Sequence, residues 1–140
     1  MPVEIPIFPR YIHMDRKQYS DLLEPIVKEK SSPFYKYDRT GVYIISASLG
    51  FKNKTSKKIH NPIDVRLFAQ LTKEEKWALF TIAIADSGGT NILLDGAKAV
   101  QIAEEYANGG VQILYDKLFK GSLDYSLENE MIKAIEKSKI

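Results

Sequence analysis

The sequence predicts a mainly α-helical fold in one domain, residues 1–140, with about five helices around one buried central helix at 72–87. Two observations lead to this prediction. Apolar residues recur at spacings of three and four along most of the chain, and capping residues or glycines flank those stretches. The stretch 77–85 is apolar except for Thr81, so we expect the other elements to surround it.

Length and composition narrow the class of protein. A chain of 140 residues buries a sufficient core without disulfides or metals. It has no cysteine, which excludes thiol catalysis and thiolate metal sites and fits a reducing compartment. No apolar run reaches the roughly 18 residues that span a bilayer, and the proline-rich start does not resemble a signal peptide. We therefore expect a cytoplasmic protein that makes no membrane contact.

The first elements are predicted from prolines and one cap. Three prolines among the first nine residues predict an extended N-terminal arm at 1–13. Asp15 is placed to cap a helix that runs to about Lys30, and Pro25 is expected to kink or restart that helix. The alternating segment 63–68 can pair with the arm, so the sequence also allows a short two-stranded β element of 3–8 with 63–68.

Two further helices and a loop follow. Asp38 predicts the start of a helix that ends at Gly50, with a strand as the alternative because several residues there are β-branched. Residues 51–62 contain four lysines and no acid and are predicted to form a loop. For the central helix, Thr72 and Glu75 have the spacing of a capping box, and the pair at 88–89 supplies a glycine end.

The last long helix is predicted to begin at a cap, Asp95, and to contain the pair Gly109-Gly110. Because the apolar spacing continues in phase across the pair, we expect one continuous helix that another backbone crosses closely, and not a break. Gly121 is expected to end it. Residues 122–140 are then predicted to form a C-terminal helical extension capped by Ser126.

Charge points to one candidate site, a basic loop. Residues 1–70 carry 12 basic against 7 acidic side chains, and residues 71–140 carry 8 against 11. Such asymmetry marks a polyanion-facing side in some proteins and only holds two halves of a domain together in others. Since lysines bind phosphates, we predict nucleic-acid contact by the cations of this region, with a solvated loop as the alternative. These cations are Lys52, Lys54, Lys57, Lys58, His60, Arg10, Arg16 and Lys17.

No catalytic site, metal site or cofactor is predicted. His13 and His60, without cysteine, supply neither zinc-ligand spacing nor a His-paired nucleophile. The Gly-rich turn at 86–90 follows a helix C-terminus, where the dipole repels anions, so a cap and turn is preferred over a phosphate loop. Glu104 and Glu105 lie about 100° apart on a helix, so a solvated face is expected and not an acid–base pair.

Four segments resemble, in order and spacing, a family of small proteins associated with Dnd systems: LGFKNKTSKK, VRLFA, WALFTIAIADSGGTNILLD and AEEYANGGVQIL. Dnd systems install phosphorothioate sulfur in the DNA backbone and, with partner proteins, restrict DNA that lacks it. The resemblance covers about residues 10–118 and is best at 104–110 and 49–54. The chain departs from the family pattern after 121 and in a longer lysine loop, and the pattern provides no catalytic residues.

The resemblance implies a cytoplasmic accessory of DNA modification or phage defence. One hypothesis is a non-enzymatic accessory that contacts double-stranded DNA or a DNA-bound partner. The alternative is a module that docks on a larger modification or restriction subunit through Tyr35 and a helix surface of Glu104, Tyr106, Asn108, Gly109 and Gly110. A small enzyme is a third reading, disfavoured because no acid and base converge in sequence. The oligomeric state, a homo-oligomer included, stays open.

Overall fold

The structure is a computed structural model that describes residues 8–119. Within that range the protein consists of four helical segments, named α1 to α4, and one two-stranded antiparallel sheet. The predicted mainly α class with a short β element is confirmed, with slightly fewer helices than the sequence predicts. The predicted helical extension at 122–140, with its Ser126 cap and the preceding Gly121, lies outside the described residues.

The sheet pairs β1, Tyr11–Asp15, with β2, Pro62–Leu67. The strand expected at 63–68 is therefore confirmed, and among the described residues its partner is 11–15, while most of the predicted partner, 3–8, lies outside the described residues. The physical reason is burial: Ile12 and Met14 alternate along β1 and are fully buried, which gives this segment the apolar face that a paired strand needs. A register shift after Ile12 places His13 opposite Asp64.

The helical segment α1 spans 16–28 and has three parts: an α-helical turn Arg16–Gln18, a π-helical turn Tyr19–Leu23 and an α-helix Glu24–Lys28. Asp15 caps it as predicted, since its Oδ1 accepts a hydrogen bond from the Lys17 backbone N–H at 3.3 Å. Pro25 stands in the first turn of the last part. The backbone stays right-handed helical at Gln18, Leu23 and Glu24, so the helix does not restart, and the irregularity expected near Pro25 is the π-helical turn before it.

Helix α2, Arg39–Lys52, begins at the predicted cap, where Asp38 Oδ1 accepts from the Thr40 N–H at 3.1 Å. The choice of helix over strand is confirmed. The predicted end at Gly50 is wrong, since the helix continues to Lys52. Gly50 is a contact residue instead: a Cβ there would lie 2.1 Å from the carbonyl oxygen of Tyr106.

Helix α3, Lys73–Ser87, has both predicted ends. Thr72 and Glu75 form a complete capping box, and Gly88 ends the helix at φ +86°. Its expected central position is wrong. Trp77 is 52% exposed and Ala85 is also exposed, so the helix buries one side only. Several of its apolar residues are alanines, whose small side chains do not require burial on every face.

The central helix is α4, Gly96–Phe119, which packs most extensively against α2. Asp95 caps it, with Oδ1 accepting from the Lys98 N–H at 3.1 Å. A Cβ on Gly110 would lie 1.7 Å from the Ser46 carbonyl oxygen, so only glycine permits this approach of α2. The predicted continuous helix with a close crossing is confirmed. The largest fully buried side chains include Ile12, Met14, Leu23, Ile26, Val42, Tyr43, Leu79, Val100 and Val111.

Candidate nucleic-acid interface

The basic loop, residues 52–60, lies across α4. The Thr55 N–H donates to the Gly50 carbonyl at 2.8 Å, and the Lys57 N–H donates to the Glu105 carbonyl at 2.9 Å. Gly109 makes this possible, because a Cβ there would lie 2.5 Å from the Thr55 carbonyl oxygen. The loop backbone is therefore held against the helix while its lysine side chains remain exposed.

A single buried amide, Asn108 of α4, holds the loop and the start of α1 together. Its Nδ2 donates to the carbonyl oxygens of Lys57 and Lys58 at 3.1 and 3.4 Å, and its Oδ1 accepts from the Asp15 N–H at 3.0 Å. The Gln18 side chain donates to the Asn108 carbonyl at 2.8 Å. Asn108 is fully buried, so these bonds do not compete with solvent.

We name the resulting surface the basic edge. It comprises the exposed basic side chains at the end of α2, in the loop and at the start of α1: Lys52, Lys54, Lys57, Lys58, His60, Arg16 and Lys17. The two segments meet where the Arg16 N–H donates to the Asn61 carbonyl at 2.8 Å. Arg10, which the sequence analysis included, is not part of this surface. Arg10 comes just before Tyr11, the first residue of β1, whereas Asp15 is the last. Five residues at roughly 3.3 Å each separate them by about 16 Å.

The carboxylate of Asp15 at this junction is occupied by the chain itself. It accepts from the backbone N–H of Lys17 at 3.3 Å and of His60 at 3.2 Å. Burial alone raises the pKa of the Asp15 carboxyl, but hydrogen bonds from His60, Lys17 and Asn61 lower it by more, so its pKa lies below the ordinary value. Asp15 thus serves as a cap and anchor in the middle of the cations.

A second ionic cluster joins β1 to α4. Oε2 of Glu104 accepts from the backbone N–H of His13 at 2.6 Å and lies 2.8 Å from its ring Nδ1. The other ring nitrogen lies 3.1 Å from Asp64 Oδ1, and the Tyr43 hydroxyl donates to the His13 carbonyl at 2.7 Å. Burial raises the pKa of Glu104, and the hydrogen bonds from His13 oppose that rise.

The solvated face expected for Glu104 is wrong, since the residue is only 8% exposed. Sequence reasoning missed its pairing with His13 because 91 residues separate the two. The only sequence signal for this pairing was the position of Glu104 on a helix face whose other residues are mostly apolar. Within residues 8–119, no group of three or more His, Asp or Glu side chains is arranged to hold a metal ion.

A pocket of about 380 Å³ opens between the basic loop and α4. Its lining includes Lys58 and His60 from the loop, Gln101 and Glu105 from α4, and the His13–Glu104 pair. Two sets of residues that the sequence analysis kept apart, the loop cations and the acids at 104–105, therefore meet here.

The helix surface expected to bind a partner needs correction. Asn108, Gly109 and Gly110 are buried beneath the loop and α2, so internal packing accounts for them. Tyr106 is half-buried, and its hydroxyl donates to the Asp86 carboxylate. Tyr35 is half-buried in the turn before α2, at the opposite end of that helix from Gly50, and does not join the surface at 104–110.

The fold and the basic edge define a small helical protein with a group of exposed cations beside a pocket. Residues 15–139 match the model of the family described as DNA sulphur modification system-associated protein 4, and the chain belongs to this family. The match runs to 139, which corrects the expectation that the chain departs from the family pattern after 121. No curated protein and no solved structure gives a significant match. Among the described helices, none combines the length and apolar character needed to cross a membrane.

Proposed function

We propose that the protein is a non-enzymatic accessory of a DNA sulphur modification system and that it acts by contacting duplex DNA through the basic edge. In this proposal it works in the cytoplasm beside other proteins of the system. It would serve modification and the accompanying restriction of DNA, and thereby phage defence. Family membership supports the association with the system.

The main support for DNA contact is that hydrogen bonds within the protein already hold the backbone of the basic edge in place. Asn108 and the Lys57 N–H fix the loop backbone before any ligand is present, so less conformational entropy is lost on binding. Lysines on a fixed backbone can neutralise several phosphates and release their counterions. Asp15, the acid at the junction, is already engaged by backbone N–H groups.

The non-enzymatic part of this proposal is supported by the contacts that the His13 ring makes within the protein. Each ring nitrogen of His13 already lies within 3.1 Å of a carboxylate oxygen, from Glu104 and Asp64. Joining β1 to α4 accounts for both contacts, so the cluster does not require a catalytic role.

Duplex binding tests the proposal. A labelled 20-base-pair duplex should bind the intact chain at low ionic strength, and the affinity should fall as salt rises. Reversing two loop charges, Lys57→Glu with Lys58→Glu, should weaken binding at least tenfold. The matched control, Lys30→Glu with Lys73→Glu, changes net charge equally at exposed positions away from the loop and should weaken binding far less.

No salt-sensitive binding by the intact chain would overturn the proposal. Equal losses in the two double variants would also contradict it, because net charge and not the basic edge would then explain the affinity.

One observation favours a second candidate, docking on another protein of the system without DNA contact. Trp77 is 52% exposed on α3 beside Phe80, at the end of an aromatic cluster that includes Phe68 and Phe8. Exposed tryptophans are enriched at the centres of protein interfaces. Co-purification with the other system proteins should then be lost in Trp77→Lys and kept in Lys73→Glu, provided both variants fold. Retention of every partner by Trp77→Lys would exclude docking at this position.

A further inference from the structure

The pocket between the basic loop and α4 is lined by groups of opposite charge. Its lining includes Lys58 and His60 from the loop and Glu105 from α4, with Ile59 and Pro62 adding apolar surface. Its volume, about 380 Å³, lies in the range of small-molecule sites. The acid in this pocket would repel a free phosphate, and the lysine would repel a simple cation. The charges suit a ligand with a phosphate at one end and a hydrogen-bond donor at the other.

The acid that faces such a ligand is Glu105 and not Glu104. Glu104 is nearly buried and its Oε2 is occupied by His13. Glu105 is half-exposed, its backbone is fixed by the Lys57 N–H, and Gln101 Nε2 donates to its Oε2 at 3.2 Å. Within the described residues its Oε1 accepts no hydrogen bond from a side chain or from a loop N–H. One carboxylate oxygen is therefore oriented and available to a donor.

A nucleotide with an exocyclic amino group has this chemistry. Its phosphate suits Lys58 and His60, its flat base suits Ile59 and Pro62, and its amino group can donate to Glu105, as cytosine N4 does to acidic side chains. The pocket is concave, so a base within a duplex could not enter it without leaving the stack. The basic edge continues from the pocket through Lys57, which would bind the neighbouring phosphates.

We propose that the pocket receives one unpaired nucleotide of a DNA strand, with the amino group of its base donating to Glu105 and its phosphate held by Lys58 and His60. This inference rests on the proposed DNA contact. It goes further because it predicts a preference for DNA in which one amino-bearing base is unpaired.

Fluorescence anisotropy with four labelled duplexes tests the inference. One is fully paired, and the others carry a central unpaired cytosine, an unpaired thymine or an abasic site. The intact chain should bind the unpaired-cytosine duplex about tenfold more tightly than the other three. Glu105→Leu should lose this preference and keep its affinity for the paired duplex. The control Glu74→Leu, an equal charge change at an exposed site on α3, should keep the preference. Circular dichroism and thermal unfolding verify that each variant folds.

The outcomes separate this inference from the function it rests on. Salt-sensitive binding with equal affinity for all four duplexes would overturn the pocket proposal and leave DNA contact by the basic edge intact. A cytosine preference that survives Glu105→Leu would also overturn it. Failure to bind any of the duplexes at low salt would overturn both.

Discussion

Oε2 of Glu104 accepts two hydrogen bonds from His13, one from the backbone N–H at 2.6 Å and one from ring Nδ1 at 2.8 Å. The bonds join β1 to α4 across 91 residues of sequence. The second ring nitrogen lies 3.1 Å from Asp64 Oδ1, so the ring stands between two carboxylates. The pair therefore holds the sheet on the central helix directly beneath the pocket wall.

Glu104→Gln should lower the free energy of unfolding by about 1–3 kcal/mol, because it removes the charge that both His13 donors use in a nearly buried site. Its neighbour supplies the control. Glu105 is half-exposed, so Glu105→Gln should change stability by less than about 0.5 kcal/mol. Urea denaturation at neutral pH measures both. Equal losses of unfolding free energy in the two variants would mean that the pairing of Glu104 with His13 does not stabilise the protein.

Gly110→Ala should destabilise the protein by about 3 kcal/mol or more, at the upper end of overpacking effects. The new Cβ would lie 1.7 Å from the Ser46 carbonyl oxygen, so α2 would have to move away from α4. Gly41 is the matched control, since it lies in α2 with nothing within 4 Å of an added Cβ. Gly41→Ala should stabilise the protein by up to about 1 kcal/mol. Denaturant midpoints that move in the same direction for both variants would contradict the close crossing.

The Arg39–Glu24 pair should make stability depend on pH in the acid range. Arg39 donates from Nε and a terminal nitrogen to the two Glu24 oxygens at 2.5 and 3.1 Å, which is the main cause of a Glu24 pKa of about 2. A carboxyl group whose pKa is lowered by folding contributes stability that is fully present above about pH 4.5 and is lost as the pH falls towards 2.

Arg39→Met should therefore cost about 1–2 kcal/mol at pH 6, an amount discounted because the Arg39 side chain is 40% exposed. The difference from the intact chain should shrink between pH 4.5 and 2. Thermal unfolding across that range measures it, and a constant difference would show that lost packing and not charge is responsible.

Asn108→Ala should loosen the basic loop. It removes the donors to the Lys57 and Lys58 carbonyls and the acceptor for the Asp15 N–H, so amide hydrogen exchange should accelerate at Asp15, Lys57 and His60. Asn53→Ala deletes an exposed amide that bonds only to its own helix, at the Leu49 carbonyl. It should leave those three amides protected. Unchanged exchange in Asn108→Ala would mean that the loop holds its position without the buried amide.

The features that sequence reasoning predicted correctly are local. The capping box at Thr72 and Glu75, the cap at Asp38 and the unbroken helix through Gly109-Gly110 each depend on residues within one helix or at its end. Spacing along the chain reports such features directly. For the candidate site, the exposed lysines of the loop could be named because an acid-free stretch is visible without any tertiary contact.

The features it missed depend on which segments meet in space. A glycine two residues before a helix end resembles a stop signal, and only the Tyr106 carbonyl shows why Gly50 is needed. An acid on an apolar stripe reads as a solvated residue until His13 is seen against Glu104. The pocket, likewise, forms between the loop and α4, which the hydrogen bonds of Asn108 and of the Lys57 N–H hold together.

The most direct test of DNA contact through the basic edge is a map of backbone amide chemical shifts as unlabelled duplex DNA is added to isotope-labelled protein. We expect the largest changes at 52–60 and at Arg16 and Lys17, and these changes should weaken as salt rises. Changes centred on Trp77, or none at low salt, would contradict DNA contact through the basic edge.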